Sequence, residues 1–329
     1  MVLRAIERHL RMAHPKCSDE EFITLFNRLG ARGVCEHLGV MERSVYARRS
    51  ALEARGVGQL IAPTKAGTVK EYPHRAKLIV QNGCIIVGSD FHIWPGAEST
   101  ALRAFKKLCG DLKPVAVILN GDVLDFPQIS RHPPIGWENA PTVKDEIEAA
   151  QDHLNAIVKA VPRGCRKIWT LGNHDARFET RLATVASEYK GLKGIHLSDF
   201  FGVWEKSWSC FINEENERGQ TVVKHRFKSG ISAPRVNTLH AGMSMVTGHL
   251  HSMKVMPFTD YRGDRYGVDG GCCASTDHKA FTGYTEDNPL DWRSGFCVLT
   301  YRDYRLMYPE LVSVWDDNHV QFRGNLIKC

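Results

Sequence analysis

Five short clusters of Asp, Asn and His punctuate this 329-residue chain. They are Ser89-Asp90-Phe91-His92, Gly121-Asp122-Val123-Leu124-Asp125, Gly172-Asn173-His174-Asp175, Val223-Lys224-His225 and Gly248-His249-Leu250-His251. Each follows, or nearly follows, an apolar β-type run. Carboxylate, carboxamide and imidazole donors suit borderline divalent metals, and there are enough of them here for two ions. Two ions that share a carboxylate are a standard device for hydrolysing phosphate esters.

Residues so far apart in sequence must be gathered by the elements that precede them. Cys84 to Val87, Val115 to Leu119 and Ile168 to Leu171 are short, apolar, β-branched runs. Between them, Glu98 to Leu108 and Thr142 to Val161 are helical by period and composition. This is βαβ repetition feeding polar loops at the C-terminal strand ends, where α/β proteins build their sites. Beyond about residue 195 the chain becomes strand-rich. Thr221 to Lys224, Met243 to Thr247, Lys254 to Tyr261, Tyr266 to Val268 and Gly295 to Tyr301 are the expected strands, with a hairpin turn at Arg262-Gly263-Asp264.

The N-terminal segment is different in kind. Ser18 is an expected N-cap, with Glu21 completing a capping box, and Phe22, Leu25, Phe26 and Leu29 follow at helical spacing. Gly30 ends that helix, Gly33 to Leu38 makes a short second one, Gly39-Val40 turns, and Glu42 to Arg55 makes a third. Val45 and Leu52 face inward; Ser44, Arg48, Arg49 and Arg55 are expected outside, available to nucleic acid. Helix, short helix, Gly turn and basic helix form a helix-turn-helix pattern, similar to bacterial and phage-type DNA-binding units. A trihelical packing or protein-interaction module is the alternative. The expected organisation is a helix-turn-helix domain over 1–60, a Gly/Pro/Lys/Thr-containing linker over 61–76 and a catalytic α/β domain over 77–329.

Charge supports the division. Residues 1–77 hold 14 Lys and Arg against 8 Asp and Glu, whereas the rest holds 29 of each. A positive appendage on a neutral body points to a polyanionic partner, with DNA favoured. Hydrophobic residues make up 43% and charged residues 24%, ordinary for a globular protein. No apolar run approaches the 20 or so residues of a spanning helix, and Met1 to Leu10 lacks a signal-peptide core. A cytoplasmic location without membrane partners is expected. The ten cysteines form no C-x-x-C framework and read as reduced thiols, Cys272-Cys273 included.

Taken together and in order, the clusters resemble the calcineurin-like metallophosphoesterase superfamily: D-x-H, G-D-x-x-D, G-N-H-[DE], a lone His after a strand, then G-H-x-H. The resemblance covers roughly residues 78–300. It implies a calcineurin-like two-sheet α/β sandwich carrying two divalent metal ions. Manganese is the expected ion, with iron, zinc or magnesium as alternatives. By the same resemblance Asp90, His92 and His251 ligate one ion, Asn173, His225 and His249 the other, and Asp122 bridges them. An Asn carbonyl adds a ligand without adding charge. The family usually has His-Gly where this chain has His225-Arg226. His240 is the rival, but it lies inside an expected helix, Pro234 to Ala241. His174 is implied as general acid and Asp125 as the carboxylate that orients it. Arg131 and Arg177, each just beyond a metal loop, are candidate phosphate contacts beside Asn173. Gly270-Gly271 followed by Asp291-Trp292-Arg293-Ser294-Gly295-Phe296 also resembles phage-type members.

The implied activity is in-line attack on phosphorus by a hydroxide shared between the ions. The helix-turn-helix unit favours a phosphodiesterase or nuclease acting on DNA. One rival is a small-molecule phosphatase or cyclic-nucleotide phosphodiesterase with an assembly-type N-terminal domain. Another is a DNA-bound regulator whose metal site is structural. Oligomeric state is not legible.

Overall fold

A computed structural model describes residues 16–57, 60, 72–131, 140–276 and 290–329. The chain divides into two units, Met1–Val69 with Lys190–Leu192, and Lys70–Tyr189 with Lys193–Cys329. Most of the expected linker, residues 61–71, lies outside the described residues.

The first unit is all-α. Helix α1 (Asp19–Leu38) starts at Ser18, whose hydroxyl accepts from Glu21 N at 3.1 Å while Glu21 Oε2 accepts from Ser18 N at 2.9 Å. Gly30 leaves helical conformation at φ 68° and ψ 178°, so α1 is two helical segments meeting at a kink there, as the sequence leads one to expect. Gly39 closes it in the left-handed region, with its N–H bonded to Cys35 O. Helix α2 (Glu42–Ala54) follows. Phe22, Leu25, Phe26, Val34, Val45 and Leu52 form the core.

The basic face of α2 differs from expectation. Ser44 is exposed, but Arg48 and Arg49 are half-buried. Arg48 Nη2 donates to Cys17 O and to Asp19 Oδ1, both at 2.8 Å, and its guanidinium lies 4.7 Å from the Phe22 ring centroid. Arg49 pairs with Glu53 at 2.9 Å and covers Phe26. Arg55 pairs with Asp19 at 2.9 Å. The Arg48 and Arg49 guanidiniums cover core aromatics, and Arg48 and Arg55 satisfy the start of α1, so packing claims these side chains.

The second unit is a two-sheet α/β sandwich. In chain order its elements are β1 (Ala76–Leu78), β2 (Gly83–Gly88), α3 (Thr100–Leu112), β3 (Ala116–Leu119), α4 (Val143–Ala160), β4 (Arg166–Thr170), α5 (Asp175–Val185), the single turn α6 (Leu197–Phe200), β5 (Glu205–Ser207), β6 (Cys210–Ile212), β7 (Thr221–Val223), α7 (Ala233–Ala241), β8 (Ser244–Thr247), β9 (Lys254–Asp260), β10 (Gly263–Asp269), β11 (Gly295–Arg302), β12 (Arg305–Leu306), β13 (Glu310–Asp316), β14 (His319–Phe322) and β15 (Asn325–Lys328). One sheet runs β1-β6-β7-β8-β10-β9 and the other β15-β14-β13-β11-β2-β3-β4-β5, with β12 on β11. Strands β2 to β5 are mutually parallel, as are β7, β8 and β10.

Alternation places Ile85, Val87, Ile118 and Ile168 against Ile212, Val223, Val246 and Val268 of the facing sheet. Ile86, Val117, Leu119 and Trp169 point the other way, into a second core with Phe105 of α3 and Leu154 of α4. Strands buried on both faces read as continuous apolar runs, which is why β2, β3 and β4 were visible in sequence. The hairpin turn falls one residue earlier than expected, because Gly263 already pairs with Asp260. No helix among the described residues is long and apolar enough to cross a membrane. All ten thiols are free.

Replacing Arg48 by Ala removes the donor to Cys17 O and uncovers Phe22. Amide exchange across α1 should then quicken about tenfold, read by hydrogen exchange of the full chain, while exchange in β2 to β4 stays unchanged.

Candidate metal centre

The parallel strands deliver their C-terminal ends to one place. β2 leads into Asp90 and His92, β3 into Asp122 and Asp125, β4 into Asn173 and His174, β7 into His225, and β8 into His249 and His251. Three trios form there; two hold the implied ligands, Asp90 with His92 and His251, and Asp122 with His225 and His249, and the third joins His92 to Asp125 and His174. Within each trio one donor atom per residue lies within 4.8 Å of the others. His251 Nε2 is 3.1 Å from Asp90 Oδ1, and His225 Nε2 is 3.0 Å from Asp122 Oδ2. His225 Nε2 is also 3.9 Å from Asp90 Oδ1, which links the two ligand trios. His240 stands on α7 beside Phe227 and is in none of these groups.

The donor chemistry fits cations. His225 Nδ1 faces the Asn120 carbonyl at 2.8 Å, and a carbonyl only accepts, so Nδ1 carries hydrogen. In the neutral ring Nε2 is then a lone pair aimed at the Asp122 carboxylate, an arrangement that calls for positive charge between them. Burial alone would lower the His225 pKa, but Asp122 and Asp90 outweigh it and push it up to about 10. Burial likewise would raise Asp90, yet His225 and His251 hold it at about 2. Burial would raise Asp122 too, and His225, His174 and His92 keep it far below the carboxylate range. His249 is lowered by burial and by its neighbour His225, which favours the neutral, ligating ring. Asn173 Oδ1 is buried and accepts no hydrogen bond. A buried carbonyl in that condition is costly unless a cation or donor satisfies it. These Asp and His clusters suit a dinuclear metal site.

Asp125 does more than sequence reasoning assigned. Its Oδ1 is 2.7 Å from His174 Nδ1 and 3.1 Å from His92 Nδ1, so one carboxylate oxygen fixes two imidazoles. With Nδ1 engaged, His92 turns Nε2 to within 4.0 Å of Asp90 Oδ1, the carboxylate–histidine arrangement that orients metal ligands. Burial would lower the His174 pKa, but the Asp125 hydrogen bond and the Asp122 charge raise it.

Two buried acids set the loops from behind. Asp175 Oδ2 accepts from Asp122 N, Gly172 N and Trp169 Nε1, each at 2.9 Å, and Oδ1 accepts from Val123 N at 2.9 Å and Leu124 N at 3.4 Å. Glu146 Oε2 accepts from Phe126 N at 2.7 Å and Asp125 N at 3.2 Å, and burial pushes its pKa up to about 8. Asp175 was visible in its motif, though without a role. Glu146 sits mid-helix on α4 and carries no local signal. Trp292 packs its ring 4.5 Å from that of His251.

Arg177 reaches the implied acid at its other ring nitrogen and is held there by the Asp125 backbone carbonyl. Nη1 donates to Asp125 O at 2.8 Å and Nη2 is 3.1 Å from His174 Nε2. Arg131 and Arg177 both line a cleft of about 720 Å³ that also touches Asn173 and His225. Arg226 lines the same cleft, so it borders the site without entering the trios.

The calcineurin-like phosphoesterase family model matches residues 85–266. The Gene 54 protein of Mycobacterium phage D29 is 29% identical over 245 residues, and that of Mycobacterium phage L5 is 28% identical over 248; each match covers 70% of this chain and 93% of the relative. Among solved structures, vacuolar protein sorting 29 from Cryptosporidium parvum aligns over 76% of this chain and 100% of its own, at 10% identity and a TM-score of 0.42. Yfce, a phosphoesterase from E. coli, aligns over 74% and 96%, at 12% identity and a TM-score of 0.32.

A Cβ at Gly172 would lie 2.1 Å from Asp122 Oδ1 and 2.4 Å from its nitrogen. Gly172→Ala should therefore displace Asp122. In chelator-treated wild type, a divalent ion at a hundredfold excess over Kd should stabilise the fold by about 2.7 kcal/mol, seen as a higher Tm. The variant should lose most of that rise.

Proposed function

The chain belongs to the calcineurin-like phosphoesterase family, and on that premise we propose that it is a cytoplasmic phosphodiesterase acting on nucleic acid, DNA before RNA. The observation that carries the hydrolytic part is the gathering of seven Asp, Asn and His side chains from five strand-end loops, with His174 beside them. Asp90, His92 and His251 would hold one ion, Asn173, His225 and His249 would hold the second, and Asp122 would serve both. Manganese suits this mixed oxygen and nitrogen set. A bound pair of divalent ions supplies a nucleophile at neutral pH and a clamp for phosphoryl oxygens.

The protein's own groups do the rest. His174 is held by Asp125 through Nδ1, which leaves Nε2 to hand a proton to the leaving oxygen. In the structure Arg177 points a donor at that Nε2. A guanidinium only donates, so Nε2 takes up a proton from solvent once a phosphate oxygen draws Arg177 away. Arg177 thus couples arrival of the anion to readiness of the acid. Arg131 and Asn173 are further contacts for the phosphate.

The nucleic-acid part rests on the excess positive charge of the N-terminal segment, and on the helix-turn-helix pattern there. Arg48 and Arg49 cannot carry it as outward contacts, since both are engaged within the unit. That engagement favours the second reading, an N-terminal unit used for assembly on a small-molecule phosphoesterase.

A manganese-supplemented assay of the purified protein on single- and double-stranded DNA, RNA, bis-p-nitrophenyl phosphate and p-nitrophenyl phosphate separates the readings. Cleavage of polymer and of the diester is expected. Turnover confined to the monoester or to cyclic nucleotides would reject the nucleic-acid substrate.

His174→Ala should retain its metal, measured by elemental analysis. It should lose about 10²–10⁴ in rate on esters with poor leaving groups, and much less on nitrophenyl esters. An equal loss on both would rule out the acid role.

A further inference from the structure

The cleft beside the metal loops has an unusual lining. Arg131, Arg177, Arg181, Lys224 and Arg226 contribute to it, and among the described residues no Asp or Glu does. The chain beyond residue 77 carries equal numbers of basic and acidic residues. Five cations and no acid on one wall are therefore a local concentration of charge, on a unit with none to spare overall. Arg177 and Arg181 stand four residues apart on α5, about 6 Å along the axis. They can thus meet successive phosphates of an extended backbone. Lys224 and Arg226 flank His225 just after β7 and line the same cleft.

An aromatic completes the wall. Phe227 is 46% exposed at the cleft edge, and the Lys228 ammonium lies 5.6 Å from its ring centroid. A large exposed ring among cations is the arrangement that stacks a base while the backbone is held by charge. Stacking of this kind requires an unpaired base. The reacting centre is also recessed: Asp90, Asp122 and His225 are each at most 1% exposed. A phosphate must descend to reach them, and a lone strand can follow the cleft floor where a paired duplex cannot bring its backbone.

We propose that this cleft is a single-strand binding groove, in which Arg181, Lys224 and Arg226 hold phosphates flanking the scissile bond and Phe227 stacks the adjacent base. The inference rests on the nucleic-acid reading above and narrows it to unpaired substrate, either a single strand or a frayed end. Arg177 belongs to both the groove and the acid–base pair. The other cations serve binding alone.

Fluorescence anisotropy of the full chain in EDTA measures binding without turnover. A labelled single-stranded oligonucleotide should bind at least about tenfold more tightly than its duplex. Arg181→Ala should weaken single-strand binding and make the slope of log Kd against log salt shallower by about 0.7. Phe227→Ala should weaken it by roughly fivefold or more with the slope unchanged. Both variants should hydrolyse bis-p-nitrophenyl phosphate at the wild-type rate, which also shows that they are folded. Equal or tighter duplex binding, or unaltered single-strand affinity in both variants, overturns the groove. If the wild type cuts duplex and the variants cut it equally well, the nuclease reading stands and this one fails. If the wild type cuts no polymer at all but turns over small esters, the nuclease reading has failed with it.

Discussion

The Asp175 carboxylate, with five N–H groups on it, is the contact from which the rest of the centre follows. It binds backbone nitrogens of Asp122, Val123 and Leu124 after β3, and of Gly172 after β4, together with the Trp169 indole. Two loops are thereby locked to one side chain at the first turn of α5. Asp122 is set between them, where its own Oδ1 accepts from His174 N at 2.8 Å. A fully buried carboxylate is costly in isolation, and here burial and the charge of Asp122 both raise its pKa against the pull of its donors. Charge-assisted hydrogen bonds offset that cost and fix geometry to a few tenths of an ångström. Ligands on unsupported loops would wander by more than a metal site tolerates.

The backbone shows the strain that this placement demands. Asp90, His92, Asp122, His249 and His251 all have φ between 41° and 71°. Left-handed conformation is unfavourable for side chains of these types, and it persists only where surroundings over-determine it. The surroundings here are specific. Asp90 N donates to Gly121 O, His92 N to Asp122 O, and His249 N to Asp90 Oδ2. Each loop is thus held by its neighbour across the strand ends. Gly248 serves the same end by absence, since a Cβ there would lie 1.8 Å from Ser89 Oγ and 2.5 Å from Asp90 Oδ2. The glycines before the Asp and His residues are there for close approach of one loop to another.

This explains what could be read from sequence. Short loops with fixed spacing after fully buried parallel strands leave a dense local record, so the metal loops and β2, β3 and β4 were legible. Strands β1, β5 and β6 have three residues each, too few for a period to register; β7 is as short, but its Thr-Val-Val run is β-branched throughout. Strands β13 to β15 alternate with many exposed positions, and their pairing is long-range information. Glu146 acts on Asp125 across 21 residues from a helical position that any polar residue could occupy. The second imidazole on Asp125 was hidden for the same reason, because spacing records which residues share a loop and not which loops meet. Arg48 misled for a further reason. Its charge suggested an outward position, yet it stands three residues after Val45 and four before Leu52, on the same helix face, and there its guanidinium lies over Phe22.

Charge was the least legible property, because composition averages over surfaces that do different work. The neutral total beyond residue 77 conceals a separation. Asp90, Asp122, Asp175 and Glu146 are buried as ligand candidates or as loop anchors; imidazoles hold the first two ionised, and burial pushes Glu146 up to about 8, so it counts as an acid while adding little charge near neutral pH. Arg131, Arg181 and Arg226 remain at the cleft surface. The proposed polyanion would meet the cations, while the acids that balance them in the count lie beneath. Two consequences would follow from one arrangement. Negative charge beneath the cleft suits divalent cations at the loop ends, and positive charge lining it would attract the phosphates of the proposed substrate. Burial divides the charged residues into these two layers, and no count along the chain can report that division.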